Sequence, residues 1–89
     1  MVVAIMAFPK ELKINSLVYK IALSPQIEDE AVMDNEKREI VINSNRSENQ
    51  MWLALWHETF HLINNEYDEK EVEFLAQSVF RVLKENLWQ

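Results

Sequence analysis

Not one glycine occurs in the 89 residues of this chain. Every sharp reversal must therefore be made by residues that carry a Cβ, for which the left-handed region is costly unless the side chain is short and polar. Asn15-Ser16, Asn35-Glu36-Lys37 and Asn64-Asn65 are the places where the sequence offers such residues between apolar runs. The same absence removes the glycine loops that cradle phosphates and the nucleophile elbow of the serine hydrolases. There is no cysteine either. That excludes disulfides, a thiol nucleophile, Cys-built zinc fingers and iron–sulfur clusters, and it suits a reducing interior. What remains for chemistry is carboxylates, hydroxyls and two histidines.

The length fits one small domain, 1–89, with residues 1–7 expected as a loosely held extension and Met6 as a second candidate start. Nine Lys+Arg against fifteen Asp+Glu give a net charge of −6. Nucleic acid is therefore not an expected partner, because phosphate contacts need a cationic face. No membrane is expected either. The apolar stretch Met51–Ile63 contains His57, Glu58 and His61, and a spanning helix needs about 20 apolar residues. No signal-peptide pattern precedes Lys10, so the expected location is the cytoplasm.

Alternation of apolar and polar residues dominates the first half. Leu12 and Ile14 flank Lys13, and Leu17, Tyr19, Ile21 and Leu23 follow at period two until Ser24-Pro25-Gln26. Ala31–Asp34 and Arg38–Asn43 read as two arms of a hairpin, with Ile40-Val41-Ile42 the most strand-prone triplet. Asn43-Ser44-Asn45-Arg46 reads as a loop. Ser47 with Gln50, and Asp68 with Glu71, are capping-box signatures that start two helices. The first should end at Ile63, with Asn64-Asn65 supplying a left-handed stop. The second carries a buried stripe of Val72, Leu75, Ala76, Val79, Val82 and Leu83. The expected fold is α+β: a small antiparallel sheet of hairpins followed by two packed helices.

Within the first helix, His57-Glu58-Thr59-Phe60-His61 forms H-E-x-x-H. Two imidazoles four residues apart lie on one helical face and can converge on one zinc ion. Glu58, one step round the helix, can act as a base on water without being a ligand. By chance, this pattern arises from two histidines in about 0.3% of arrangements. Without a metal, the pair and its Glu would strand polar groups in an apolar helix. A catalytic zinc wants a third protein ligand. The metzincin extension fails, since Asn64 and Tyr67 stand where Gly and His or Asp would be needed. Glu66, Asp68, Glu69, Glu71 and Glu73 remain. Asp68 and Glu71 are accounted for by the cap, and Glu69 by the preference for acids in a first turn. Glu73, at the border of the buried stripe, points toward the other helix and is the favoured ligand.

The stretch W-H-E-T-F-H-L-I, followed by E-V-E-F-L-A-Q-S-V-F-R-V-L-K-E-N, resembles the ImmA/IrrE-type metallopeptidases, in particular their short phage- and prophage-encoded minimal zincins. The resemblance covers about residues 8–87, and its specific motifs lie on the two helices. It implies a zincin-like fold with one zinc per chain, held by His57, His61 and Glu73, and Glu58 as the base. Thr59, Phe60 and the missing hairpin glycine depart from the family pattern.

The resulting expectation is a zinc metallopeptidase whose peptide or protein substrate pairs with an edge strand, here taken to be Arg38–Asn43. Tyr19, Tyr67 and Arg81 are candidate oxyanion partners. The rival reading is a zinc-stabilised interaction module without turnover, for which the acidic surface and three tryptophans would serve.

Overall fold

The chain solves its first turn without glycine. In the computed structural model, which describes residues 8–87, strands β1 (Glu11–Ile14) and β2 (Leu17–Ser24) join through Asn15 and Ser16. Both have positive φ, 51° and 69°, and Ile14 pairs directly with Leu17. This is the two-residue reversal whose twist matches the strands, and Asn at its first position meets the backbone demand. The second hairpin joins β3 (Ala31–Asp34) to β4 (Glu39–Asn43). The Asp34 carboxylate accepts from the backbone N–H of Glu36 and Lys37 at 3.0 and 3.1 Å, starting the turn. Arg38, at φ 51°, finishes it in the position where a glycine is usual. Its carbonyl then accepts from the Lys20 N–H at 2.8 Å, which begins the next ladder.

The sheet is not purely antiparallel. Its order is β1-β2-β4-β3, with β2 and β4 parallel and the two hairpins antiparallel. The β3 arm returns beyond β4, so β4 slots between β2 and β3 in the direction of β2. Apolar content explains the placement. Ile40 and Ile42 are fully buried, and only a central strand is flanked on both sides. Truncating either to Ala would cost about 2–5 kcal/mol. The expectation that Arg38–Asn43 forms an edge is therefore corrected. Among the described residues, the edge strands are β1 and β3.

Both capping boxes form, and both helices start where they predict. Helix α1 spans Glu48–Ile63 after Ser47, and α2 spans Glu69–Asn86 after Asp68. At the end of α1, Asn64 is extended (φ −149°) rather than left-handed. Its N–H bonds to the Phe60 carbonyl, and its side-chain oxygen accepts from the Glu66 N–H, so the amide replaces the left-handed stop. Trp52, Ala54 and Leu55 of α1 pack on Ile14, Tyr19, Ile21, Ile40 and Ile42 of the sheet. Helix α2 lies against α1 and buries Val72 and Ala76. Val82, expected in that stripe, is 59% exposed. Thr59 is buried, with its hydroxyl donating to the Leu55 carbonyl at 2.8 Å, so a polar residue sits inside without an orphan group. Residues 1–7 and Trp88, with the expectations attached to them, lie outside the described residues. Among the described residues, no helix is long and apolar enough to cross a membrane.

Asn43 does more than end β4. It is buried, and its amide nitrogen donates to the carbonyls of Ile27 and Asp29 at 3.0 and 3.3 Å, while its oxygen accepts from the Asn45 N–H at 2.8 Å. This amide fixes the loop that leads into β3. Asn43→Ala should lower stability by about 1–3 kcal/mol, because a buried side chain that makes three hydrogen bonds to the loop backbone is lost. Urea titration should show a lower midpoint with an unchanged slope. An unchanged midpoint would mean that the loop holds itself.

Candidate metal centre

The site arises from antiparallel packing of the two helices. The last turns of α1 carry His57 and His61 on one face, and the short loop 64–68 returns the chain so that the first turns of α2 face them. Glu69, the first residue of α2, meets both imidazoles. Its Oε2 lies 3.1 Å from His57 Nε2, and its Oε1 lies 2.9 Å from His61 Nε2. One turn later, Glu73 meets only His57, with Oε2 3.2 Å from Nδ1. The other oxygen of Glu73 accepts from the Gln77 side-chain amide at 3.0 Å. The two imidazoles stand edge to face, with ring centroids 4.9 Å apart.

Proton counting makes this arrangement informative. A neutral imidazole has one N–H to donate. Both nitrogens of His57 face carboxylate oxygens. If Nδ1–H donates to Glu73, then Nε2 presents a lone pair to Glu69, itself an acceptor. Two acceptors at 3.1 Å need a cation between them, either a second proton or a metal. His57, His61 and Glu69 each place one potential ligand atom within 4.8 Å of the others, so the three could hold a metal ion. Two imidazole nitrogens and one carboxylate form a donor set of the kind found in catalytic zinc sites. Ligand atoms around such an ion stand roughly 3.4 Å apart for bonds of about 2.0–2.1 Å, close to the spacings present.

Glu58 lines the same cleft as His57, Glu69 and Glu73. Burial holds its carboxyl above its ordinary value. His57 and His61 pull it down less strongly, and Glu69 adds a further upward push. A raised carboxyl sits closer to neutral pH, where general bases work best.

The residues singled out by spacing thus come together: His57, His61, Glu58 and Glu73 share one locality, with Glu73 on the far nitrogen of His57. Glu69 carries more of the site than its first-turn chemistry suggested. The signal for it is register. In an antiparallel pair with a short connection, the first residue after the cap faces the last turn of the preceding helix, which holds His61. Tyr19 is buried in the core. Arg81 borders a separate cleft with Leu53, Phe80 and Lys84. Neither is drawn to the imidazoles.

The model of a peptidase family, described as the IrrE N-terminal-like domain, matches residues 12–85, from within β1 through most of α2. No curated protein and no solved structure matches the chain.

A metal at this centre must displace protons from the imidazoles, so binding should weaken as pH falls. Calorimetric titration with a divalent transition metal should give one ion per chain. In buffers of different ionisation heat, it should also show proton release. His61→Ala should abolish uptake. Equal uptake by wild type and His61→Ala would place the ion elsewhere.

Proposed function

Since the chain belongs to the peptidase family of the IrrE N-terminal-like domain, we propose that it is a zinc-dependent metallopeptidase, with His57, His61 and Glu69 as ligands and Glu58 as the general base. The observation that carries this reading is the single carboxylate of Glu69 shared by the Nε2 atoms of both histidines. Bound there, zinc would lower the pKa of a water toward 7 and polarise a carbonyl. The remaining work falls to the chain. Glu58 removes the proton of the attacking water and delivers it to the leaving amine. Glu73 accepts from His57 Nδ1–H, which fixes the tautomer that leaves Nε2 free, and Gln77 holds the second oxygen of Glu73. Glu73, favoured as a ligand from its place on the helix, is in this account the residue that orients one.

The substrate is an extended peptide. Among the described residues β3 is an edge strand, and its first residue, Ala31, borders the cleft that contains His57 and Glu58. Strand addition there would present a peptide bond to the base through main-chain hydrogen bonds. The reducing habit of a cysteine-free chain fits action in the cytoplasm. Phage or prophage origin, suggested by the sequence resemblance, is a proposal of the same standing.

Glu58→Gln separates this reading from the zinc-stabilised interaction module. The amide keeps the shape of the side chain and removes the base. Turnover of any peptide cleaved by the wild type should fall about 10²–10⁴-fold, with zinc content unchanged. Cleavage at the wild-type rate would remove Glu58 from the mechanism. A zinc-loaded wild type that cleaves nothing in a broad peptide library would favour the module.

A further inference from the structure

Two clefts flank the imidazole pair, and their chemistry differs. One, of about 400 Å³, is lined by five carboxylates, Asp29, Glu30, Glu58, Glu69 and Glu73, beside His57 and Ala31. The other, of about 560 Å³, is lined by Met33, Leu62 and Ile63 with Asn side chains beside His61, and no carboxylate borders it. β3 spans both, with Ala31 on the acidic cleft and Met33 on the carboxylate-free one. Among the described residues β3 lies at the sheet edge, and that edge crosses the site from negative to carboxylate-free surroundings.

Three of the carboxylates are occupied in the account above. Asp29 and Glu30 are not. Among the described residues, their carboxylates make no hydrogen bond and no ion pair, and no Lys or Arg lines their cleft. Their backbone is held in place. The Asn43 amide donates to the Asp29 carbonyl, and the Asn43 N–H donates to the Glu30 carbonyl at 2.9 Å. Two carboxylates on a fixed backbone beside an edge strand meet whatever side chain a docked peptide presents there.

We infer that the site selects peptides with a Lys or Arg after the cleaved bond, with Asp29 and Glu30 as the specificity-determining residues, and sets no charge requirement on the residue before it. The polarity follows from strand direction. β3 runs from Ala31 to Asp34. A peptide added antiparallel, the geometry with the better hydrogen bonds, passes Met33 first and Ala31 later. Its residues before the cleaved bond then lie over the carboxylate-free cleft, and those after it over Asp29 and Glu30. An acidic residue in the latter position would meet like charge and be rejected. The inference rests on the peptidase reading for the position of the cleaved bond.

The test uses zinc-loaded full-length protein and three sets of short labelled peptides: Leu before and Lys after the central bond, the reverse order, and norleucine in place of Lys. The first set should be cleaved with a kcat/KM about tenfold above the norleucine set, the scale expected of two partly solvated charge contacts. Asp29→Asn combined with Glu30→Gln should erase that ratio, leaving the norleucine rate and the zinc content unchanged. A ratio near one in the wild type, or one that survives the double substitution, overturns the inference while cleavage itself upholds the peptidase. A preference for the reverse order overturns the assigned polarity. Binding of the same peptides to zinc-loaded Glu58→Gln, read by fluorescence anisotropy, decides the charge preference even if the wild type cleaves none. Tighter binding of the Lys sets that disappears on changing Asp29 and Glu30 supports the inference, and equal binding of all sets overturns it.

Discussion

Helix α2 folds back on α1 across a short loop, and the position of every functional side chain follows from that packing. Glu69 reaches both imidazoles because it is the first helical residue after the Asp68 cap, opposite the last turn of α1. Glu73 reaches His57 because it sits one turn further along, opposite the preceding turn of its partner. Shifting the start of α2 by one residue would rotate both carboxylates by about 100°. The capping box of Asp68 and Glu71, with bonds of 2.8 and 3.2 Å, therefore sets the register of the site as well as starting a helix. Val72 and Ala76, both buried, lock the face that this register turns toward α1.

The sheet supplies a floor and an edge. Its inner face, with Ile14, Tyr19, Ile21, Ile40 and Ile42, anchors α1 through Trp52, Ala54 and Leu55. The parallel insertion of β4 between β2 and β3 leaves the short β3 as the outer strand beside the site. An antiparallel run of hairpins in chain order would have put β4 outermost and β3 inside. The single parallel pair thus determines which strand lies outermost among the described residues, and Asn43, at the end of β4, fixes the acidic loop that precedes it.

Much of this was legible in the sequence because it was written in local chemistry. Helix starts, the Asn15-Ser16 reversal and the placing of His57 and His61 on one helical face each depend on residues within about one turn of one another. Partner choice in the sheet was not legible. Whether β4 pairs with β2 depends on burying Ile40 and Ile42 from both sides, a non-local gain that no spacing reports. The division between Glu69 and Glu73 was hidden for a related reason. Both acids lie on the same helical face, four residues apart, and only the packing distance across the helix pair tells which oxygen meets which nitrogen. Family membership adds the peptidase context.

We propose that Glu69 completes the metal centre and Glu73 orients it. Zinc affinity of Glu69→Gln and Glu73→Gln, measured side by side with His61→Ala by competition against a chelating dye, tests it most directly. The account predicts that Glu69→Gln falls with His61→Ala to negligible binding, while Glu73→Gln keeps one zinc per chain with affinity reduced about 10–100-fold. Complete loss in Glu73→Gln, with zinc retained in Glu69→Gln, would contradict it.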